Sequence, residues 1–485
     1  MVVTTLVVAV LNLSSTTAAA VTAITTINVN SSAYFQELKV QQTIQEIKLI
    51  QPVHQLSQPH TTSVGDERKW KLNLLHVDNI NSNLSNYLER FKKRMKRDAI
   101  RVATLIPQLL PAGDSEEAVE EFGSEVVSGT NQGIPIGEYL VRIGVGSPPR
   151  SQYMVIDSGS DIIWVQCQPC NLCYNQSDPV FDPQSSASFS GIPCTSSVCD
   201  RLLQTSSSYA ACHGGGCTYQ VSYQDGSYTK GTLAFETLSF PNATVRNVAI
   251  GCGHSNQGLF IGVSGLLGLG AGSMSFVGQL GGQTGGAFSY CLVSRGSTGS
   301  TGSLEFGREA LPVGAAWVPL LRNPAAPSFY YVGLEGLGVG GTRLPIPGSL
   351  FGLKETGEGG VVMDTGTPVT RFPAAAYKAF RDAFRRETAS LPMMTGGVSI
   401  FDTCYDLRGY VSVRVPTVSF YFTGGTVLTL PARNFMIPVD EEGRFCFAFA
   451  GSEGEVSIIG NIQQEGIQIS FDAANSFVGF GPNIC

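Results

Sequence analysis

Hydrophobic and polar positions follow two different patterns along this chain of 485 residues. Between Ile24 and Gly133 the chain is mostly polar, except that apolar residues recur at helical spacing within Leu84–Leu110. From Gly137 onward, short apolar runs are separated by Gly, Pro and Asn, which is typical of many short strands. The pattern therefore predicts one amphipathic helix followed by a large β-rich region.

The β-rich region contains runs that we interpret as individual strands. The clearest are Tyr139–Val145, Gln152–Ile156, Val245–Ile250, Gly360–Met363 and Val415–Phe422. Helical periodicity is rare here, and its best example is Ala374–Arg386. The scarcity of helical periodicity and the high glycine content, 56 residues in the chain, argue against a helical bundle or solenoid. They favour an all-β fold.

The first residues resemble a secretory signal. An apolar stretch, Val2–Leu13, is followed by small residues up to Ala20, which fits an apolar core and a cleavage site, although the usual basic start is missing. We expect a signal peptide at residues 1–23. No other run reaches the 18 apolar residues that predict a membrane span, so we expect no membrane anchor.

The predicted helix is strongly basic. Seven Lys and Arg side chains lie within it, against Glu89 and Asp98, whereas residues 129–485 carry 19 basic and 25 acidic side chains. One interpretation is a solvated helix and a linker. The other, which we favour, is that residues 24–133 form a removable prosegment whose cations lie on an acidic surface of the same chain.

Cysteine usage sets this region apart from the rest. All 12 cysteines lie between Cys167 and Cys485, and an even, clustered count predicts a disulfide framework formed outside the cytosol. The net charge of -7 without a basic stripe gives no reason to expect nucleic acid as a partner. Two Asn-x-Ser/Thr sequons, at Asn175 and Asn242, predict glycosylation on surface loops.

One segment of the β-rich region occurs twice. The run Tyr153–Ser160, which contains Asp157-Ser158-Gly159, returns as Gly360–Thr367, which contains Asp364-Thr365-Gly366. Each copy is followed by two large apolar residues and a glycine, at Leu266–Gly268 and Ile458–Gly460. The repeat predicts two related lobes of normal domain size, at residues 134–312 and 313–485.

The repeated aspartates are the candidate catalytic residues. A carboxylate at the end of a buried strand is costly unless it is held by partners, and Gly159 and Gly366 offer amides while Ser160 and Thr367 offer hydroxyls. If the lobes face each other, Asp157 and Asp364 meet. Such a pair shares a proton and can activate a water that attacks a carbonyl, without metal or cofactor.

Together these features resemble the pepsin-like aspartic endopeptidases. Trp164, seven residues after Asp157, and Tyr223 match the family's cleft tryptophan and the tyrosine of its flap hairpin. The resemblance implies a bilobal all-β fold with the active site between the lobes. It also implies hydrolysis of extended peptides or proteins at acid pH, and an expected monomer made as a secreted zymogen.

The cysteine cluster resembles the insert of the nepenthesin-like plant group, closest to its guard-cell aspartic protease subgroup. Its cysteines are Cys167, Cys170, Cys173, Cys194, Cys199, Cys212 and Cys217. The resemblance implies the pairs 167–170, 173–252, 194–217, 199–212, 291–485 and 404–446, although sequence alone leaves connectivity open. It also implies the apoplast, or else the vacuole or another endomembrane compartment.

Other chemistries fit the sequence less well. His213-Gly-Gly-Gly imitates an oxyanion loop, but no Gly-x-Ser-x-Gly elbow accompanies it. Cys167, Cys170 and Cys173 with His213 could hold zinc, but an even count in a secreted chain favours disulfides. A pseudoenzyme that binds proteins, like the xylanase-inhibitor relatives with this fold, stays as the alternative. Those relatives lose motif residues that are intact here.

Overall fold

The computed structural model describes residues 34–48, 70–79, 86–109, 138–202, 208–222, 227–258, 260, 262–293 and 301–481. The predicted signal peptide, Tyr223 and Cys485 lie outside these residues. Among the residues described, no helix is both long and apolar enough to cross a bilayer.

Strands dominate the described chain. The N-terminal region, by which we mean described residues from 34 to 109, contains β1 (Phe35–Leu38), α1 (Val40–Lys48), β2 (Lys71–His76) and α2 (Tyr87–Leu109). The first lobe contains β3 (Tyr139–Val145), β4 (Arg150–Asp157), β5 (Ile163–Gln166), β6 (Ser190–Gly191), α3 (Ser197–Leu202), β7 (Ser208–His213), β8 (Gly216–Ser222), β9 (Tyr228–Ser239), β10 (Thr244–Gln257), β11 (Gly265–Gly268), α4 (Phe276–Gln279), α5 (Gly281–Thr284), β12 (Ala287–Cys291) and β13 (Gly302–Phe306).

The second lobe completes the chain. It contains β14 (Ala316–Leu321), β15 (Tyr330–Val332), β16 (Leu334–Val339), β17 (Thr342–Arg343), β18 (Val361–Met363), β19 (Thr370–Pro373), α6 (Ala374–Glu387), β20 (Cys404–Asp406), β21 (Val413–Pro416), β22 (Val418–Phe422), β23 (Val427–Leu430), β24 (Met436–Pro438), β25 (Arg444–Phe447), β26 (Phe449–Ser452), β27 (Ser457–Ile459), α7 (Asn461–Gln464), β28 (Gln468–Asp472) and β29 (Phe477–Phe480).

The two lobes repeat one arrangement, as the internal repeat predicts. In the first, β4 pairs in parallel with β11, which places Gly268 opposite Asp157. In the second, β18 pairs in parallel with β27, which places Ile459 opposite Met363, the residue before Asp364. The apolar units that follow each Asp motif are thus the neighbours of the Asp-bearing strands. The predicted all-β, bilobal fold is confirmed.

An antiparallel run of strands joins the lobes, in the order β3-β2-β13-β12-β28-β29-β14. Strand β2 of the N-terminal region is an interior member of this run, because it pairs with β3 on one side and β13 on the other. Its Leu72 and Leu74 are buried in the main core. The N-terminal region is therefore part of the folded body rather than an appendage.

Element predictions from the sequence match the structure closely. Helices α2 and α6 lie where the periodicity predicts them, and β3 has the predicted bounds. The run Val415–Phe422 contains parts of two strands, β21 and β22. Pro416 ends β21 because it has no N–H to continue a ladder, and the Thr417 N–H instead donates to the Tyr34 carbonyl (2.9 Å).

Two disulfides in the first lobe correct the pairing implied for Cys167, Cys170, Cys173 and Cys252. The structure joins Cys167 with Cys252 and Cys170 with Cys173. Cys167 follows β5, which lies in parallel beside β10, and its N–H donates to the carbonyl of Gly253 (2.9 Å), the residue after Cys252. Strand pairing thus selects Cys252 as the partner of Cys167, and the two loop cysteines pair with each other.

The remaining insert pairs are also corrected, and one predicted pair is confirmed. Cys194 bonds to Cys212 and Cys199 to Cys217. Cys212 and Cys217 lie opposite each other in the hairpin β7–β8, but Cys217 is buried and Cys212 is exposed. Helix α3 places its buried Cys199 against the buried partner. The predicted bond between Cys404 and Cys446 is present, whereas that of Cys291 with Cys485 lies outside the described residues.

Candidate active site

The two motif aspartates end corresponding strands at the junction of the lobes. Asp157 is the last residue of β4 and Asp364 directly follows β18, and both are at most 2% exposed. The Gly159 N–H donates to Asp157 Oδ1 (2.9 Å), and Thr367 Oγ1 donates to Asp364 Oδ2 (2.6 Å). These short-range bonds fix the orientation of both carboxylates, as the small residues of each motif predict.

The middle residues of the two motifs hold the lobes together. The Ser158 N–H donates to Thr365 Oγ1 (3.2 Å), and the Thr365 N–H donates to Ser158 Oγ (3.0 Å). The two hydroxyl oxygens are 3.3 Å apart. Ser158 therefore supplies a hydroxyl that bonds across the lobe junction, and the reciprocal pair with Thr365 sets the separation of the aspartates.

A guanidinium from α2 lies between the two aspartates. Arg101 Nη2 donates to Asp157 Oδ1 (2.6 Å) and to Asp364 Oδ1 (2.9 Å), while Nη1 and Nε donate to the other oxygen of each carboxylate (3.0 and 2.9 Å). One nitrogen that contacts both carboxylates shows that they are within reach of a single small group. Arg101 itself is 5% exposed, so this contact is closed to solvent.

The charges at this contact stabilise one another. Burial raises the pKa of the Asp364 carboxyl, but the Arg101 guanidinium and hydrogen bonds from Thr367 and Gly366 hold that pKa below its ordinary value. Burial lowers the pKa of Arg101, and the carboxylates raise it by more. Asp364 and Arg101 therefore both stay charged at neutral pH, as partners of a buried, hydrogen-bonded ion pair.

The motif glycines leave the space that the guanidinium occupies. A Cβ built on Gly366 would lie 2.9 Å from Arg101 Nε, and one built on Gly159 would overlap Arg101 Nη2. Gly159 also faces Asp364 Oδ1, at 3.0 Å from the same built Cβ. Any side chain at either position would therefore obstruct the space between the aspartates.

Further ion pairs fasten α2 to the body. Glu138 is 1% exposed, accepts hydrogen bonds from Arg97 and His76, and forms an ion pair with Arg94 (2.8 Å). Burial raises the pKa of Glu138, and the two arginines and His76 outweigh burial and hold that pKa well below its ordinary value. Arg94 Nη2 also donates to Glu465 in the second lobe (3.0 Å). The helix therefore binds both lobes through its cations.

The apolar side of α2 fills the space beside Asp157 and Asp364, which we call the dyad. Ile100 is buried in one cluster with Trp164 and Phe260 of the first lobe. Leu105 and its neighbours are buried in another cluster with Phe329 of the second lobe. The helix thus covers the aspartates with apolar contacts on both lobes as well as with charge.

The other sequence-predicted site residues have mixed outcomes. Trp164 is fully buried, and its ring meets Phe260 edge-on at 5.0 Å. Ser160 Oγ makes no hydrogen bond, so it does not orient Asp157. Oδ2 of Asp157 instead accepts from Arg101. Tyr223 lies outside the described residues. Asn175 and Asn242 are both exposed.

Sequence reasoning missed which residues of the basic helix meet the body. Arg94, Arg97 and Arg101 lie at spacings of three and four, one face of a helix, whereas Lys92 is exposed. That periodicity within the charged residues was a readable signal. The buried partners Glu138 and Arg371 carried no local signal, because only the tertiary fold brings them to α2.

Known proteins similar to this chain agree on its family. A family model described as xylanase inhibitor N-terminal matches residues 139–308, and one described as xylanase inhibitor C-terminal matches residues 329–482. Protein Aspartic Protease in Guard Cell 2 of Arabidopsis thaliana is 66% identical over 88% of this chain and 90% of its own length. Aspartic proteinase nepenthesin-2 of Nepenthes gracilis is 38% identical over 86% and 90%.

Solved structures give the same fold at lower identity. Conglutin gamma from lupine seeds and basic 7S globulin from soybean both align with a TM-score of 0.56, at 21% and 20% identity. Each covers 71% of this chain, and the alignment spans 91% and 93% of those proteins. With its paired Asp motifs at the lobe junction, the chain belongs to the pepsin-like aspartic proteases, in the plant group that includes the nepenthesins.

Proposed function

We propose that this protein is an aspartic endopeptidase that hydrolyses peptide bonds of proteins at acid pH. The observation that carries the proposal is the shared contact of Asp157 and Asp364 with one guanidinium nitrogen, at 2.6 and 2.9 Å. Two carboxylates that reach one nitrogen can also reach one water once that nitrogen leaves. Carboxylates at that separation cannot both ionise easily, so they would share a proton.

The chemistry follows from that shared proton. The ionised aspartate takes a proton from the water as its oxygen attacks the peptide carbonyl, while the protonated aspartate donates to the carbonyl oxygen. The C–N bond of the resulting tetrahedral diol then breaks, the leaving nitrogen takes the proton that came from the water, and a diol hydroxyl returns a proton to the other aspartate. No acyl-enzyme forms, because the nucleophile is water. Gly159, Gly366 and Thr367 orient the carboxylates, and Ser158 with Thr365 keeps them at a fixed separation.

The N-terminal region would be a prosegment that keeps the enzyme inactive. Arg101 occupies the position that the water needs, and the apolar residues of α2 occupy the adjacent cleft. Substrate cannot enter while α2 is in place. Acid would protonate the carboxylates that hold Arg101 and its neighbours, so that the helix is released and then removed.

Substrates would be extended peptides. Backbone hydrogen bonds with β-lobes hold an extended chain, while its alternate side chains enter pockets. Tyr223 would close over that chain, and the cluster that contains Trp164 would form an apolar subsite, the place where Ile100 of α2 is buried.

Secretion is the proposed route. The disulfides form in an oxidising compartment, and the exposed Asn175 and Asn242 can accept glycans there. The apoplast is the favoured destination, with the vacuole or another endomembrane compartment as alternatives.

A second candidate is a catalytically inactive protein-binding member of the fold. The descriptions of the matching family models favour it, since both name a xylanase inhibitor. Against it, both Asp motifs are intact, with the Gly159 N–H bonded to Asp157 and the Thr367 hydroxyl bonded to Asp364. An inactive member has no need for a cation inserted between two aspartates.

Activity of the full-length chain separates the two candidates. The purified chain is acidified to about pH 4 and assayed on a denatured protein substrate. We expect cleavage that pepstatin abolishes and that is lost in Asp157→Asn and in Asp364→Asn. Persistent cleavage in either variant, or inhibition only by a serine-protease reagent, would rule out the proposed mechanism.

A further inference from the structure

One ion pair between α2 and the body has the opposite polarity to all those described above. Asp98 of α2 is fully buried and bonds to the guanidinium of Arg371, with Nη1 3.1 Å from Oδ1 and Nη2 bonded to Oδ2. The Val369 N–H also donates to Asp98 Oδ1 (2.9 Å). A side-chain fork and a backbone amide thus form a complete binding site for one carboxylate.

This site belongs to the second lobe, and it loses the Asp98 carboxylate when α2 leaves. Arg371 lies on β19, seven residues after Asp364, and is 7% exposed with the helix in place. Among the described residues, the hydrogen bonds of its side chain go to the Asp98 carboxylate and the Val369 carbonyl (3.1 Å). A buried cation without a counter-ion is costly, so the vacated site favours another carboxylate.

The helix fixes the position of this site relative to the aspartates. Asp98 and Arg101 are three residues apart on α2, so their side chains leave the same face about 5–6 Å from each other. An extended peptide advances about 3.3 Å per residue and presents alternate side chains on one side. Side chains two residues apart on such a peptide therefore start at about the spacing that separates Asp98 from Arg101.

We propose that Arg371 and the Val369 N–H form a carboxylate-binding subsite of the cleft. It selects substrates with Asp or Glu within two residues of the scissile bond. Asp98 of α2 occupies this subsite in the same way that Arg101 occupies the dyad. The inference rests on the proposed endopeptidase activity and adds a substrate class to it.

Matched peptides test the subsite. Mass spectrometry first identifies the bond that is cut in one quenched fluorescent peptide. Variants of that peptide then carry Asp, Asn, Glu or Gln at one of four positions, two on each side of the cut bond. They are assayed with acid-activated full-length protein at about pH 5, where a carboxyl of ordinary pKa near 3.9 is ionised. The readout is the kcat/KM ratio of each acid to its amide.

We expect a ratio of about 10 to 100 at one position in the native protein, the range for hydrogen bonds to a charged group. In Arg371→Gln the ratio should fall to within about twofold of 1, and in Arg371→Lys it should be intermediate. Arg408→Gln is the control, since Arg408 is exposed and pairs with Asp406 at the surface. Its ratio and its activity should match those of the native protein.

A second measurement does not need hydrolysis. A synthetic peptide of residues 86–109 and its Asp98→Asn form are titrated calorimetrically into the activated protein and into both Arg371 variants. We expect the Asn peptide to bind at least tenfold more weakly to the native protein, with this difference reduced in Arg371→Lys and lost in Arg371→Gln.

The outcomes are distinguishable. No cleavage of any peptide would refute the proposed endopeptidase, and the calorimetric comparison, made on protein whose N-terminal region has been removed with an added protease, would still decide the subsite. Cleavage with acid-to-amide ratios near 1 at all four positions would overturn the subsite alone. So would a ratio that survives in Arg371→Gln, or an Asp98→Asn peptide that binds as tightly as the native one.

Discussion

At the scale of single residues, Arg101 decides the state of this site. Its guanidinium contacts all four carboxylate oxygens of the two aspartates, which no other described residue does. The aspartates are buried beneath α2, so their charge would be uncompensated without it. Breaking one side of such a buried ion pair costs about 3–5 kcal/mol. The closed state should therefore depend on this one side chain.

Replacing Arg101 with Met should shorten the delay before activity appears. The substitution keeps much of the apolar stem but removes the charge, so the closed state loses about 3–5 kcal/mol. In a quenched-peptide assay started at about pH 3.5, below the ordinary pKa of Asp, we expect the lag of the native chain to fall at least tenfold. Lys92→Met, at an exposed position of the same helix, is the matched control and should keep the native lag. Equal lags for Arg101→Met and the native chain would contradict this role.

At the scale of elements, the N-terminal region has a second attachment to the second lobe, separate from the contact of α2 with the two aspartates. Strand β1 and β21 of the second lobe form a two-stranded antiparallel sheet, with Leu38 opposite Val413. The Gln36 side chain donates to the Leu430 carbonyl (2.8 Å) and accepts from the Ala432 N–H (3.0 Å). We call residues 34–48 the arm. The arm contacts the second lobe through backbone and apolar contacts, not through the aspartates.

The arm should be able to detach from the second lobe while α2 stays bound. In Leu38→Asp a charge replaces a side chain that is 2% exposed, which is costly without a counter-ion. We expect hydrogen exchange in the arm and in β21 to accelerate at least tenfold at pH 7, while α2 stays protected. Glu37→Gln, at the exposed neighbour, should leave exchange unchanged. Unchanged exchange in β21 of Leu38→Asp would show that the arm does not depend on this strand pairing.

At the scale of the whole molecule, acid is the condition that separates the N-terminal region from the lobes. Asp364 and Glu138 both have a pKa below the ordinary value while α2 is bound. A lowered pKa stabilises the closed state fully above the ordinary value, and that stability is lost as the pH falls through the lowered one. The closed state is therefore stable at neutral pH and weakens below about pH 4, near the ordinary value for Asp.

Conversion of the full-length chain should follow this titration. Followed on gels after incubation from pH 3 to pH 7, loss of the N-terminal region should begin only below about pH 4 in the native protein. In Glu138→Gln, Arg94 and Arg97 lose their shared carboxylate, so conversion should extend to higher pH. Glu89→Gln, whose side chain is 47% exposed and pairs with Lys92, is the control and should convert like the native protein. Conversion that is independent of pH would contradict the carboxylate mechanism.

Much of this protein could be predicted from its sequence, because the features that specify it are local. Alternation and turn residues specify the strands, and two copies of one Asp-bearing segment specify two lobes with paired aspartates. The periodicity of Leu84–Leu110 specifies α2 almost to its ends. Such patterns depend only on neighbours in the chain, and here tertiary packing agrees with them.

The tertiary structure decided which distant residues meet. The sequence showed a basic helix and an acidic body, but only packing selects Arg101 for the dyad and places the carboxylate of Asp98 on Arg371. The cysteine pairs were decided in the same way, since Cys167 meets Cys252 because their strands run side by side. Charge and composition determine that such contacts are favourable. The identity of each pair depends on the path of the whole chain, which no local pattern contains.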